Sequence, residues 1–337
     1  MSKAEKKQGA KTTETVPAGA CAGAQALMEE RIRRTGQFRS KIWGQVYAGG
    51  EGVNSDSRTA DIDAHGIPGE SMGRRRALLH GLGIIRKSEA DHGIMWGCGL
   101  FGMPMQAQSL AKVFDKLGVK FTFIRSEGKE YCCNWPAVES STTVEERIDA
   151  EKGAATFMKK NVEALRSLGA KDVTYFCTWC AYVGKYYVPE YADSQHHILD
   201  VLLEKLENTP MAMARPTTIA WYEGCHQRNK LLTPGVDLRW GDYRKVLDRI
   251  KNLKIVELRH KTCCVFNGPR LVEDAVKTGA SAVITPCAPC WTWLDRASHG
   301  RIAIKHLPDL IAEALPDRDA TGVDAAAEHD QAITSMA

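Results

Sequence analysis

No apolar run in this chain approaches the roughly 20 residues that cross a bilayer, so no membrane-spanning helix is expected. The opening residues, Met1-Ser-Lys-Ala-Glu-Lys-Lys, carry charge with no apolar segment behind it, which argues against a secretory signal. An excess of one charge is missing too: a formal net charge of +4 over 337 residues does not mark a nucleic-acid binder. No Gly-x-x-x-x-Gly-Lys-Ser/Thr phosphate loop occurs. Eleven cysteines are too few, in too long a chain, for a disulfide scaffold. The expectation is a soluble, cytoplasmic protein whose thiols stay reduced until a metal takes them.

Ten of the eleven cysteines fall into one pattern written twice. A lone Cys, an adjacent pair and a Cys-x-x-Cys make a first set of Cys98, Cys132, Cys133, Cys177 and Cys180. The second set is Cys225, Cys263, Cys264, Cys287 and Cys290. Adjacent cysteines cannot bridge to each other without strain. Thiolates in such numbers are soft ligands that select iron–sulfur clusters, zinc or copper(I). Zinc is the first rival, but a structural zinc site takes four ligands with closely spaced Cys-x-x-Cys pairs, whereas each set here offers five thiols. A thioredoxin-like dithiol leaves the adjacent pairs idle. The tight Cys-x-x-Cys-x-x-Cys run of ferredoxins is absent, so two clusters held by scattered ligands are the better reading.

From about residue 92 the pattern alternates between strand and helix, which implies parallel α/β units. Leu110, Val113, Phe114 and Leu117 share one helical face ended by Gly118, and Met158, Val162, Leu165 and Leu168 share another ended by Gly169. Strands are predicted over 119–124, 173–176, 217–222 and 281–285, and a helix over 270–277. Strands thus end at or just before Cys98, Cys177, Cys225 and Cys287, where α/β layers gather their ligands. The halves repeat in register. Gly169-Ala170 and Gly279-Ala280 each lie eight residues before a Cys-x-x-Cys, and His197-Ile-Leu-Asp matches His306-Leu-Pro-Asp. Self-similarity of this kind means duplicated units. The expected fold is α/β, with two pseudo-symmetric cysteine-rich half-domains, 91–212 and 213–316, each with a small, mostly parallel sheet. An N-terminal extension covers 1–90, with a basic helix over 28–46 and a loop over about 48–72. Residues 317–337 read as a disordered tail.

The pattern resembles the duplicated cysteine-rich "CCG" domain of the B-type subunits of heterodisulfide reductases, a family that includes sulfur-oxidising relatives. Trp96-Gly97-Cys98, Tyr222-Glu-Gly-Cys225-His226 and Thr285-Pro-Cys287-Ala-Pro-Cys290 carry the likeness, over roughly residues 92–316. It implies two non-cubane [4Fe–4S] clusters, one on each set of five cysteines. It also implies an oxidoreductase of sulfur groups, cleaving or forming a disulfide, thiol-bound sulfur or persulfide between facing clusters. An iron–sulfur C-like subunit and a flavoprotein A-like subunit would be the partners. An electron-transfer subunit of a quinone-, lactate- or acyl-CoA-linked complex is the alternative. The catalytic candidates are Cys98, Cys132, Cys133, Cys225, Cys263, Cys264 and His226. The sequence departs from the family at the Gly after each pair, replaced by Asn134 and Val265. It departs again in the spacing that follows, 43 residues in the first half and 22 in the second.

Other residues have plainer roles. His197 and His306 read as structural, His260 and Lys261 as a solvated loop, and Arg74–Arg76 as a solvated face. Trp135, Trp179, Trp291 and Trp293 read as core packing that also shields the thiols from water. Cys21 lies outside both sets.

Overall fold

The computed structural model describes residues 55–68, 70–87, 90–125, 128–224, 233, 235–259 and 262–316. Cys21, Cys225, His226, His260, Lys261, the 28–46 helix and the 317–337 tail lie outside the described residues.

Ahead of the first sheet come helices α1 (Ser55–His65) and α2 (Met72–Gly81). The first sheet and its helices then follow. They are β1 (His92–Met95), α3 (Gly99–Gly102), α4 (Pro104–Lys116), β2 (Phe121–Thr122), α5 (Trp135–Ser140), α6 (Val144–Ser167), β3 (Asp172–Tyr175), α7 (Thr178–Tyr187), β4 (Gln195–His197) and α8 (Ile198–Lys205). The second set is β5 (Met211–Trp221), α9 (Trp240–Asp248), β6 (Ile250–Glu257), α10 (Cys264–Lys277), β7 (Ala282–Thr285), α11 (Ala288–Ser298), β8 (Ala303–His306) and α12 (Leu307–Ala314). The strands form two four-stranded, all-parallel sheets ordered β2-β1-β3-β4 and β6-β5-β7-β8. Those orders are the same once the strands are matched in chain order.

The register agrees residue by residue. Gly93 pairs with Val173 in the first sheet and Ala220 with Val283 in the second. Tyr175 pairs with His197, and Thr285 pairs with His306. Val173 and Val283, His197 and His306, and the two Cys-x-x-Cys motifs therefore occupy equivalent places, as the repeat requires. Gly118, Gly169 and Gly279 each take a positive φ just after a helix, the left-handed stop that glycine accepts most readily.

The halves pack reciprocally. The last helix of the second half, α12, lies against α4 of the first, and α8, which closes the first half, lies against α9 of the second. Each closing helix starts with a His whose backbone N–H donates to an Asp three residues on: His197 to Asp200 at 3.1 Å, His306 to Asp309 at 2.9 Å. Both Asp side chains then reach the other half. Asp200 accepts from Tyr243 Oη at 2.6 Å, while Asp309 meets Ser109 and Gln106.

Three sequence expectations change. Residues 55–65 are helical rather than loop. Among its described side chains only Ile62 and Arg58 bury deeply, too few for a periodic face, so docking against the first half stabilises what the pattern could not announce. The helix expected over 270–277 begins at Cys264 and kinks at Asn267 (φ −130°), two residues before Pro269, which lacks the N–H for an interior helical bond. β5 begins at Met211, because Met211 and Ala212 pair with β6 across a register shift before Thr217.

Candidate metal centres

The parallel topology brings the first five thiols together at the carboxyl edge of one sheet. Cys98 follows β1, Cys132 and Cys133 follow β2, and Cys177 follows β3 at the start of α7, which carries Cys180 one turn in. They form a connected series of sulfur contacts. Cys132 meets Cys98 and Cys133, Cys133 meets Cys180, and Cys180 meets Cys177. Cys132, Cys133, Cys177 and Cys180 are buried and Cys98 half-buried, and all five are free thiols. In the second half Cys264 meets Cys263 and Cys290, with Cys287 beside them. Cys263 is half-buried and the other three are buried. Among the described residues no three His, Cys, Asp or Glu side chains close round a single metal ion.

The thiols do not share charge evenly. Contacts from Cys133 and Cys98, with Arg58 nearby, hold the Cys132 thiol well below its ordinary range. Cys177 is lowered by Cys180 and by the Trp179 and Cys180 backbone N–H groups at the start of α7, as expected for a thiol at a helix N-terminus. The partners that donate to them move the other way: Cys98 is raised chiefly by Cys132, and Cys180 by Cys133 and Cys177.

In both halves a glycine brings the backbone close to the sulfurs. Gly97 (φ +59°) and Gly224 (φ +87°) precede Cys98 and Cys225, and neither could gain a side chain freely. A Cβ on Gly97 would lie 3.6 Å from Cys180 Sγ, and one on Gly224 would lie 3.4 Å from Cys290 Sγ. The same backbone-to-sulfur approach thus occurs in both halves. Ten soft thiols in two such sets match the donor chemistry of iron–sulfur clusters.

Several contributors gave no sequence signal. Glu130 is fully buried; it accepts from the Gly97 backbone N–H and pairs with the buried Arg75 guanidinium at 2.5 Å. Burial raises the Glu130 carboxyl, against the opposing pull of Arg75 and the Gly97 and Trp96 amides. Arg75 also donates to the Ile124 carbonyl. Of the Arg74–Arg76 run, then, Arg74 and Arg76 are exposed while Arg75 braces the loop before Cys98. That loop, Gly97-Cys98-Gly99-Leu100-Phe101-Gly102, has the glycine spacing of a dinucleotide fingerprint. The helix it opens is only four residues long and its first glycine abuts Cys180, so it is built around the thiols.

His197 and His306 are fully buried, and burial pushes each imidazole down to about 3, so both are neutral packing groups. Trp135 and Trp179 are buried, while Trp291 and Trp293 are half-buried and pack against the core. A cavity of about 690 Å³ opens near Thr217, within β5, and near Ala282 and Ala303, the amino ends of β7 and β8 and the opposite pole from the thiols.

The fold and site define a duplicated, thiol-lined α/β protein. Residues 94–183 match the cysteine-rich domain family CCG. The chain is similar to the D-type subunit of the dihydromethanophenazine:CoB–CoM heterodisulfide reductase of Methanosarcina barkeri, 27% identical over 62% of this chain and 55% of that one. The corresponding subunit of Methanosarcina acetivorans is 25% identical over 55% of this chain and 48% of its own length. The chain spans about half the length of the curated relatives it matches. These relatives are D-type subunits, so the likeness is to the reductase family and not to its B-type subunits in particular. A glutamate racemase of Bacillus anthracis overlaps 67% of this chain and 80% of its own at 13% identity with a TM-score of 0.31. Among the described residues no helix is long and apolar enough to cross a membrane.

Proposed function

We propose that this chain is an iron–sulfur subunit of a heterodisulfide-reductase-like complex, cleaving or in reverse forming a disulfide or thiol-bound sulfur bond. Cys98, Cys132, Cys133, Cys177 and Cys180 would hold one non-cubane [4Fe–4S] cluster, and Cys225, Cys263, Cys264, Cys287 and Cys290 the other. The observation that supports this best is the connected contact of five free thiols from three strand ends, with four of the second five gathered at matching places. Four thiolates suffice for an ordinary cubane, so a fifth points to another cluster form.

Two one-electron centres can together split one two-electron sulfur–sulfur bond. The protein's own part is placement and environment. Glu130 and Arg75 hold the Gly97 amide and with it the Cys98 loop. Cys177 and Cys287 cap α7 and α11, and at Cys177 the backbone N–H groups of Trp179 and Cys180 favour thiolate. Buried Trp96, Trp135 and Trp179 keep water from the first set. Electrons would come from an iron–sulfur subunit and a flavoprotein, and the half-buried Cys98 and Cys263 mark where a small disulfide or persulfide would approach.

Anaerobically purified protein should be brown, with about eight irons and matching acid-labile sulfide. In complex with its partners it should oxidise a reduced viologen when a thiol disulfide is added. A colourless preparation with stoichiometric zinc would overturn the reading.

A further inference from the structure

Helix α1 belongs to neither repeat, yet it is tied to the first set of thiols. The Cys132 backbone N–H donates to the Gly66 carbonyl at 2.9 Å, just beyond the helix. Lys129 Nζ donates to the Ala64 and Asp63 carbonyls at 2.6 and 3.2 Å, a cation at the helix C-terminus. Asn134 Nδ2 donates to Thr59 Oγ1 at 3.1 Å, and Lys160 pairs with Asp63 at 2.9 Å. Ile62 and Ile67 pack with Cys132 and Phe157 in an apolar cluster separate from the main core. From this helix Arg58, only 6% exposed, points Nη2 at Cys132 Sγ at 3.4 Å.

We propose that Arg58 is a positioning residue of the first centre, holding the Cys132 sulfur and raising the reduction potential of that centre alone. The proposal rests on the reading of Cys132 as a cluster ligand. Reduction adds negative charge, and a fixed cation in apolar surroundings favours the reduced form far more than it would in water. An N–H donor on a ligand sulfur withdraws electron density in the same direction. In the second half the groups acting most strongly on Cys264 are the thiols of Cys263, Cys290 and Cys287. Arg58 reaches the first centre from a helix outside the repeat, so the charge it adds acts on that centre.

The test is an anaerobic redox titration followed by electron paramagnetic resonance, on the full chain with its iron and sulfide measured. In Arg58→Gln, one of the two transitions should move to lower potential while the other stays in place and iron content is unchanged. In a Cys264→Ala background, which disrupts the second centre, the remaining transition should be the one that moves. Arg58→Lys keeps the charge but loses the planar fork, so its shift should be smaller and in the same direction. Two unmoved transitions, or two that move equally, in iron-loaded protein overturn the role of Arg58 and leave the cluster reading standing. Should Arg58→Gln fail to load, the lysine variant decides: a lowered first transition supports the proposal, and one identical to the wild type overturns it. An iron-free wild type would overturn the cluster reading and this proposal with it.

Discussion

The two halves share strand order, register and the places of their thiols, and they differ in how the thiols are covered. In the first half 43 residues separate the pair from Cys177; they fold as α5 and the long α6, and α1 and α2 close over the outside. In the second half 22 residues suffice, because α10 starts at Cys264 itself and bends once at Asn267. Only residues 206–210 separate α8 from β5, so in chain order the second half has no counterpart of the extension. Strand ends determine where thiols can converge, and the parallel sheet repeats them faithfully. The covering elements touch one site only and are free to diverge.

The largest effect should come from the paired cysteines. Replacing Cys132 or Cys133 by Ala should remove or convert the centre of the first half, and Cys264→Ala that of the second. Removal should lower iron from about eight to about four per chain, and conversion should show as a changed spectrum of that half's centre. Damage should stay on one side, since each set is built from its own loops. Loss of all iron from one substitution would break the picture of independent halves, and retention of both centres would replace five-thiol sites by four-thiol ones.

Next in size is the buried ion pair of the first half. Arg75→Ala leaves Glu130 without its cation in the core, which should cost about 3–5 kcal/mol. Burial already makes Glu130 hold its proton more tightly than an exposed carboxyl, and losing Arg75 strengthens that. The folded variant then binds a proton that the unfolded chain releases. The deficit should therefore grow as pH rises above the ordinary carboxylate range and shrink as pH falls back toward it. Anaerobic denaturant midpoints at several pH values would check this, and a pH-independent deficit would show that lost packing, not charge, is responsible.

Features that follow from chain order were legible without coordinates: the gathering of the first five thiols and of four of the second, the α/β alternation, the Val173–Val283 match and the His-x-x-Asp helix starts. Arg58, Arg75 and Glu130 were not. Each looks like an ordinary surface charge, and burial comes from a partner some 50 to 75 residues away, as with Arg58 and Cys132 or Arg75 and Glu130. α1 stayed hidden for a related reason: a helix held by hydrogen bonds to another unit needs no apolar stripe of its own.

The residue after each pair shows how a substitution in the motif can keep or abandon its geometry. Asn134 has φ +57°, the left-handed conformation that glycine adopts freely and asparagine tolerates. Its Nδ2 donates to Thr59 Oγ1 and to the Ala150 carbonyl, both at 3.1 Å. Val265 lies inside α10, and a β-branched side chain is compatible only because the second half dispenses with the left-handed step. Asn134→Ala should cost about 3 kcal/mol, from backbone strain and two lost hydrogen bonds. Asn134→Gly should cost less, since only the hydrogen bonds go. Val265→Gly should cost about 1 kcal/mol as an ordinary glycine in a helix. Equal costs at positions 134 and 265 would mean that the two pairs end in the same way after all.

The smallest effect tests the reciprocal seam. Asp200 and Asp309 hold matching places, but across the seam Asp200 meets a buried tyrosine whereas Asp309 meets Ser109 and Gln106, both half-buried. Tyr243 Oη lies 2.6 Å from Asp200 Oδ1, out of reach of water that could replace it. Tyr243→Phe should therefore cost about 1.5 kcal/mol, the lower end for a hydrogen bond to a charged group. Ser109→Ala should cost less than about 1 kcal/mol, because Gln106 and the His306 amide still serve Asp309. Neither change touches a thiol, so iron content should hold while the denaturant midpoint falls. If Ser109→Ala proved the costlier, the seam would depend on the first half's helix more than the second's. The near-symmetric packing of α12 on α4 and α8 on α9 would then conceal an unequal division of stability.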